Sequence, residues 1–210
     1  MVSGRRRDDD RPINRRRATR DPKHRLLVVS EGAVTEPGYI AKFQHEVRNS
    51  RVHVEVAGQH GVPVTLVEIA VRLREAARVE AKRQRDENLL WDEVWAVFDV
   101  DSHPNLDAAR KMAMDNSILL AISNPNFELW ALLHFQDQRA HIERDKVRSA
   151  LQGHMPGYDK ELDFRRLHPT YADAVKRAQE LDVEAERYED PGRNPTTGVF
   201  RLTESIRTSA

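Results

Sequence analysis

Acidic side chains stand at two places where the sequence predicts the end of a β-strand. Glu31 follows the apolar run 26–29, and Asp99 and Asp101 follow the apolar run 94–98. Two residues apart on an extended chain, Asp99 and Asp101 point to the same side. Like charges held close together are unfavourable unless a cation or a proton lies between them. Carboxylate oxygens favour Mg²⁺ or Mn²⁺ over zinc, so the sequence predicts a site for one of these ions.

Glu128 is a further candidate metal ligand, on a helix predicted to start at Asn124-Pro125. The residues three, four and seven positions after it are Ala131, Leu132 and Phe135, so the pattern turns the Glu128 carboxylate towards the interior. An unpaired charge in the interior is costly. Glu128 therefore needs a partner, and either a metal ion or an arginine would serve.

The elements that position these residues alternate between strands and helices. Strands are predicted at 26–29, 52–56, 94–98 and 118–122, and helices at 37–43, 63–85, 105–114, 124–135, 142–152 and 170–188. The strands are continuous apolar runs, which is typical of a parallel sheet covered on both faces. We therefore predict an α/β fold with a Rossmann-like, mostly parallel sheet, helices on both faces, and a helical C-terminal region. In such a sheet, ligands bind beyond the carboxyl ends of the strands.

Charge is unevenly distributed along the chain, although the total is zero. Residues 1–23 carry nine basic and four acidic groups, a net charge of +5, which leaves −5 on the remainder. We predict a disordered basic arm at 1–22, a catalytic core at 23–136, and a mainly helical extension of the same domain at 137–210. Arg15, Arg16 and Arg17 are the candidates for contacts with nucleic-acid phosphates. The alternative is an arm that serves only to keep the protein in solution.

Composition excludes several other classes of protein. The chain has no cysteine, which excludes disulfides, thiolate zinc sites and cysteine nucleophiles. No apolar run is long enough to cross a bilayer, and no apolar segment follows the charged N-terminus as in a secretory signal. We therefore expect a cytoplasmic protein that does not bind membranes.

Four stretches of the sequence resemble sequence blocks of the RloB-like family. They are Val29-Ser30-Glu31-Gly32 through Tyr39, Val97-Phe98-Asp99-Val100-Asp101-Ser102-His103, Ser123-Asn124-Pro125-Asn126-Phe127-Glu128-Leu129-Trp130 through Phe135, and Asn194-Pro195-Thr196-Thr197. The third block is the most specific, although Asn126 stands where the family usually has cysteine. The resemblance covers about residues 25–206.

The resemblance implies a Toprim-like fold and a metal-dependent nuclease. Glu31 would act as general acid or base, and Asp99 and Asp101 would bind Mg²⁺. The substrate would be DNA or RNA, with tRNA among the candidates, and the setting would be antiphage defence. An ATPase or a protein of a restriction system would be a partner. Lys160 is our candidate for a cation that stabilises the transition state; the alternative is an ordinary surface lysine.

Two other functions are compatible with the same residues. In phosphatases of the haloacid dehalogenase type, an Asp-x-Asp after a strand supplies the nucleophile, although here the motif follows the third strand and Ser102 replaces the usual threonine. The other alternative is a non-catalytic Toprim module that binds nucleic acid or a partner protein. The sequence carries no signal for oligomeric state or for DNA against RNA.

Overall fold

A five-stranded sheet lies at the centre of the fold in a computed structural model, which describes residues 23–100 and 105–209. Its strands are β1 (His24–Ser30), β2 (Val52–Val56), β3 (Glu93–Asp99), β4 (Leu119–Asn124) and β5 (Thr196–Thr197). They are ordered β2-β1-β3-β4-β5. The first four are parallel, and β5 runs antiparallel to β4. The predicted α/β fold with a mostly parallel, Rossmann-like sheet is confirmed.

Helices cover both faces of this sheet. In the described residues they are α1 (Thr35–Val47), α2 (Pro63–Gln84), α3 (Leu106–Asp115), α4 (Glu128–Leu133), α5 (Arg144–His154), α6 (Phe164–Leu167), α7 (Tyr171–Arg187) and α8 (Val199–Thr208), with short 3₁₀ helices at Glu87–Leu89 and His168–Thr170. Helices α2 and α3 pack on one face, and the other six α-helices belong to the core on the opposite face.

Each central strand contributes its side chains alternately to the cores on the two faces of the sheet. On β1, Leu26 and Val28 face the larger core, whereas Leu27 and Val29 face α2 and α3. All four side chains are at most 1% exposed. A strand buried on both faces needs an apolar residue at every position, which is why the sequence shows a continuous run there. The ends of such a strand are fixed in position by packing on both sides.

The C-terminal region completes the sheet as well as adding helices to it. Thr197 and Thr196 pair with Ser123 and Asn124 at the end of β4. The sequence predicted only helices in this region, because a two-residue strand is too short to show an alternating pattern. Helix α8, which directly follows β5, was also missed. Its residues Val199 to Ile206 supply five of the buried side chains on the face that carries α1.

Glu93, the first residue of β3, ties the last helix to the sheet. Its carboxylate lies 2.6 and 2.7 Å from the hydroxyl of Ser205 on α8, and it accepts a hydrogen bond from the Trp95 indole N–H at 2.7 Å. The His24 ring lies 3.0 Å away. Burial opposes ionisation of Glu93, but these hydrogen bonds outweigh it and hold its pKa below the usual value. Glu93 therefore contributes stability in its ionised form.

We predict that Glu93→Gln lowers the free energy of unfolding at pH 7 by about 1.5–3 kcal/mol, the range for hydrogen bonds to a charged group. Because the pKa of Glu93 is depressed in the folded protein, its contribution is present above the ordinary carboxyl pKa and is lost as the pH falls through the folded value. The difference between wild type and variant should therefore shrink below about pH 4.

Chemical denaturation at a series of pH values measures this difference. Glu87→Gln, at an exposed glutamate outside the sheet, is the matched control and should unfold like the wild type. A difference that stays constant between pH 7 and pH 3 would contradict the role assigned to the Glu93 charge.

Candidate functional site

Glu31 and Asp99 meet at the carboxyl edge of the sheet because β1 and β3 are neighbours. Ser30 is paired with Val97, and the Glu31 N–H donates to the Val97 carbonyl at 2.9 Å. The backbone N–H of Asp99 donates to Oε2 of Glu31 at 3.2 Å. Asp99 is buried and Glu31 is half-buried. Strand pairing thus brings these two predicted site residues together.

Glu36 joins them, although the sequence analysis did not select it as a site residue. It lies in the first turn of α1 and is only 6% exposed. Its carboxylate folds back onto the loop after β1, where Oε1 accepts a hydrogen bond from the Gly32 N–H at 3.2 Å. A Cβ on residue 32 would collide with the Glu36 carboxylate, so a larger residue there would force this carboxylate to move. An acidic residue in the first turn of a helix that follows a site strand was the available signal.

Glu128 reaches the same region as the first residue of α4. It is half-buried, and its Oε1 accepts a hydrogen bond from the Tyr158 hydroxyl at 3.2 Å. Burial, followed by the charge of Glu128, raises the pKa of Tyr158, so the phenol stays protonated and continues to donate. The sequence predicted a metal ion or an arginine as the partner of Glu128. In the structure, a tyrosine from the segment after α5 contacts this carboxylate.

The helix that carries Glu128 begins later than predicted. Asn124 still belongs to β4, where it pairs with Thr196, and its side-chain amide donates to the Gly192 carbonyl at 2.9 Å. The prediction that Asn124-Pro125 starts the helix is therefore wrong, because Asn124 is engaged by the C-terminal region. Helix α4 has six residues, and Glu128 lies at its start, beside the strand ends, half-buried and not turned fully into the interior.

We call Glu31, Glu36, Asp99 and Glu128 the acidic cluster, because their charges act on one another. Burial raises the pKa of Asp99, and the charges of Glu36, Glu31 and Glu128 raise it further, to about 8, against the opposing charge of Arg144. The pKa of Glu36 is also raised, mainly by burial, with smaller increases from Glu128 and Glu31. Backbone hydrogen bonds to Glu36 act in the other direction. At neutral pH the cluster thus favours binding a proton or a cation.

Arg144 is a basic residue that contacts this cluster. It is the first residue of α5, and its Nη2 lies 3.5 Å from Oδ2 of Asp99. The sequence carries no signal for this contact, because 45 residues separate Arg144 from Asp99 along the chain. Lys160, the predicted cation, has an exposed side chain, and its carbonyl accepts a hydrogen bond from Thr35 at the start of α1. Lys160 therefore lies on a loop that contacts the site helix through its backbone.

His60 lies at the same edge of the sheet, in the loop between β2 and α2. Its Nδ1 is 3.1 Å from the carbonyl oxygen of Ser30, the residue before Glu31. Since a carbonyl oxygen can only accept, this contact places the ring proton on Nδ1 and leaves Nε2 as an acceptor.

The remaining predicted site residues lie outside the described residues. These are Asp101 and the three arginines Arg15, Arg16 and Arg17. Within the described part of the chain, no three acidic or histidine side chains converge closely enough to enclose a metal ion. The acidic cluster nevertheless fits a hard divalent cation in its chemistry. Its side chains offer only oxygen ligands, and their like charges repel one another when they are buried together.

The fourth sequence block closes the sheet beside the site. The Thr197 hydroxyl is 2.8 Å from that of Ser123, the residue paired with Asp99 across β3 and β4. Both hydroxyls are buried. The next residue, Gly198, donates its N–H to the Ile122 carbonyl, and a Cβ there would lie within 3.3 Å of the Ile122 nitrogen. This block therefore supports the strand next to Asp99 and has a structural role.

Comparison with known proteins is consistent with this arrangement. The family model described as RloB-like protein matches residues 26–206. The chain belongs to the RloB-like family. The match includes every member of the acidic cluster and all of the sheet except the first two residues of β1. No curated protein and no solved structure matches the chain. In the part of the chain that the structure describes, no helix has the length and apolar character needed to cross a membrane.

We predict that the metal-free protein loses stability as the pH rises from about 4 to about 8, and that Asp99→Asn removes much of this loss. Asp99 keeps its proton up to about pH 8 in the folded protein, whereas the unfolded chain releases it near pH 4. The folded state therefore binds more protons in this window, and raising the pH favours unfolding. At pH 8.5 in EDTA, Asp99→Asn should unfold at a temperature equal to or above that of the wild type.

Thermal unfolding at half-unit pH steps measures this dependence. Asp107→Asn, at a fully exposed carboxylate on α3, should keep the wild-type pH dependence. If Asp99→Asn proves less stable than the wild type at pH 8.5, repulsion within the cluster does not dominate at Asp99.

Proposed function

We propose that the acidic cluster, together with Asp101, binds Mg²⁺ or Mn²⁺, and that this RloB-like protein is a metal-dependent nuclease that hydrolyses phosphodiester bonds of DNA or RNA. The observation that carries the proposal is that Glu31, Glu36 and Glu128, from different segments, act through their charges on the buried Asp99, whose pKa is raised to about 8. Repulsion between buried charges lowers stability, and strongly shifted pKa values of this kind are concentrated at functional sites. A cation site brings such charges together.

The ligands would be divided between the two strand ends and the two helices. Asp99 and Glu31 are held together by a backbone hydrogen bond, and Asp101 follows two residues later in the same motif. A bound divalent cation would neutralise charge on the phosphate and polarise the bond under attack. Glu36 and Glu128 approach from the starts of α1 and α4, so their carboxylates would complete the ligand set.

Side chains of the protein would accept the proton of the attacking water and contact the charged phosphates. Glu31 is half-buried at the end of β1, and in our proposal its carboxylate takes a proton from the attacking water as the new bond to phosphorus forms. The bond to the leaving oxygen then breaks, and that oxygen takes up a proton from the solvent. Lys160 and the arginines at 15–17 would contact phosphates farther from the reaction centre.

A role in antiphage defence is part of the same proposal. It rests on the family resemblance, in which RloB-like proteins are associated with restriction loci. An ATPase or a restriction-system protein would then be the partner that controls cleavage. Protection of cells against phage should require the intact acidic cluster. Loss of protection in the Asp99→Asn variant would therefore distinguish a role in defence from a purely structural role.

We predict that the purified protein cleaves plasmid DNA or total RNA with Mg²⁺ or Mn²⁺ and not with EDTA. Glu36→Gln and Asp99→Asn should each lower the cleavage rate by at least about 100-fold, since each removes a negative charge that would bind the cation. Glu46→Gln is the control, because Glu46 lies on α1 with Glu36 but is exposed near the other end of the helix. Its activity should equal that of the wild type.

Three results would overturn the nuclease proposal. Hydrolysis of p-nitrophenyl phosphate without cleavage of nucleic acid would favour a phosphatase. Binding of nucleic acid that EDTA leaves unchanged, with no cleavage, would favour a non-catalytic module. Cleavage by Asp99→Asn at the wild-type rate would show that the acidic cluster is not the active site.

We also predict that the basic N-terminal arm contributes to binding of nucleic acid. Deleting residues 1–22, or replacing Arg15, Arg16 and Arg17 together by glutamine, should weaken binding and flatten its salt dependence. For B-DNA, the slope of log affinity against log salt should change by about 0.9 for each phosphate that the arm no longer neutralises. Binding titrations from about 50 to about 300 mM salt would give the slope, and an unchanged slope would show that the arm does not touch the substrate.

A further inference from the structure

Arg144 combines contact with the acidic cluster and access to solvent. Its Nη2 lies 3.5 Å from Oδ2 of Asp99, whose side chain is 9% exposed, while the Arg144 side chain is 52% exposed. This distance lies at the outer limit of a hydrogen bond, so the contact is a loose one. The guanidinium therefore reaches from the buried carboxylate to the open side of the site, where a substrate would enter.

The position of Arg144 in its helix is unfavourable on local grounds. It is the first residue of α5, and a helix N-terminus carries partial positive charge that favours acidic residues. The attraction of the Asp99 carboxylate works against this local preference. A residue that breaks a local preference beside a proposed active site is a candidate for a functional role.

A divalent cation in the acidic cluster would change the surroundings of Arg144. In the metal-free protein the guanidinium offsets part of the negative charge of the acidic cluster, and its charge opposes the rise in the pKa of Asp99. A cation bound by Asp99 would satisfy the carboxylate and repel the guanidinium. The side chain is long, flexible and half-exposed, so it can turn towards solvent without disturbing the core.

A phosphodiester bound at the metal would then offer Arg144 a new partner. The planar guanidinium presents paired N–H donors that match two oxygens of a phosphate, which an ammonium group cannot do in the same way. Negative charge on the phosphate increases in the transition state, and a cation placed beside it accelerates the reaction.

We propose that Arg144 is an exchangeable cation: it pairs with Asp99 in the metal-free protein and contacts the substrate phosphate once the metal and nucleic acid are bound. This inference rests on the nuclease function proposed above and adds a catalytic residue to it. Arg144 thus competes with the metal for Asp99 and assists the reaction after the metal has bound. A purely structural arginine would do neither.

Calorimetric titration of the full-length protein with Mn²⁺ tests the competition. Arg144→Gln should bind Mn²⁺ about three- to tenfold more tightly than the wild type at low salt, because a repelling charge has been removed. This gain should shrink as salt is added. Arg148→Gln is the matched control: Arg148 lies one turn later on α5, is 45% exposed, and pairs with Asp159 at 2.7 Å. Its Mn²⁺ affinity should stay at the wild-type value.

Cleavage at saturating Mn²⁺ tests the second half of the exchange. Arg144→Gln should cleave at least about tenfold more slowly than the wild type despite its tighter metal binding, and Arg144→Lys should recover part of the rate. Arg148→Gln should keep the rate of the wild type. Tighter metal binding combined with slower cleavage is the expected signature.

Several results would overturn the inference. If the wild type binds Mn²⁺ and Arg144→Gln binds it no more tightly, Arg144 does not compete with the metal. If Arg144→Gln binds the metal more tightly and cleaves at the wild-type rate, Arg144 is only a counter-ion. If the wild type itself neither binds Mn²⁺ nor cleaves nucleic acid, the proposed function fails together with this inference.

Discussion

Repulsion among the buried carboxylates of the acidic cluster is the constraint on which the rest of the site depends. Each of them receives help from a different part of the chain: backbone N–H groups of Gly32 and Asp99, the Tyr158 hydroxyl, and the Arg144 guanidinium. These groups reduce the repulsion without removing it, because the pKa of Asp99 remains raised to about 8. The folded protein thus holds negative charge that a cation can use.

Such repulsion is tolerated because the surrounding scaffold fixes the elements that bear the charges. The strands that end at Glu31 and Asp99 are central in the sheet and buried on both faces. Aromatic rings pack α1 against the start of α4. The ring centroid of Tyr39 lies 5.7 Å from that of Phe127 and 6.3 Å from that of Trp130. This packing keeps the backbones that carry the four carboxylates from moving apart to relieve the repulsion. Stability supplied by the core thus maintains an arrangement that the site alone would not adopt.

The sequence predicted those parts of the structure that arise from local patterns. Four strands, the long helix from Pro63 and the position of Asp99 at a strand end follow from apolar runs and their limits. The alternating pattern could not reveal β5, which has two residues and depends on its pairing with β4. Glu36 and Arg144 were missed because their roles come from contacts made in three dimensions. Asp99 and Arg144 meet because α5 packs on α4, which lies against β4 and β5, beside the edge of the sheet.

Two buried titratable groups, His134 and Asp99, respond to burial in different ways. His134 is 1% exposed and packed against Trp130, with ring centroids 5.0 Å apart. Burial lowers its pKa to about 4, so it is neutral at pH 7, and its Nδ1 lies 2.8 Å from the Leu167 carbonyl. An imidazole reaches this neutral state by itself, by losing a proton. Asp99 is equally enclosed but stands among other carboxylates, so it becomes neutral only by gaining a proton or a cation from outside. Arg144 offsets only part of the cost of burying this carboxyl group, because the pKa of Asp99 stays raised to about 8. The position of Asp99 beside three further carboxylates supports the cation site that we propose.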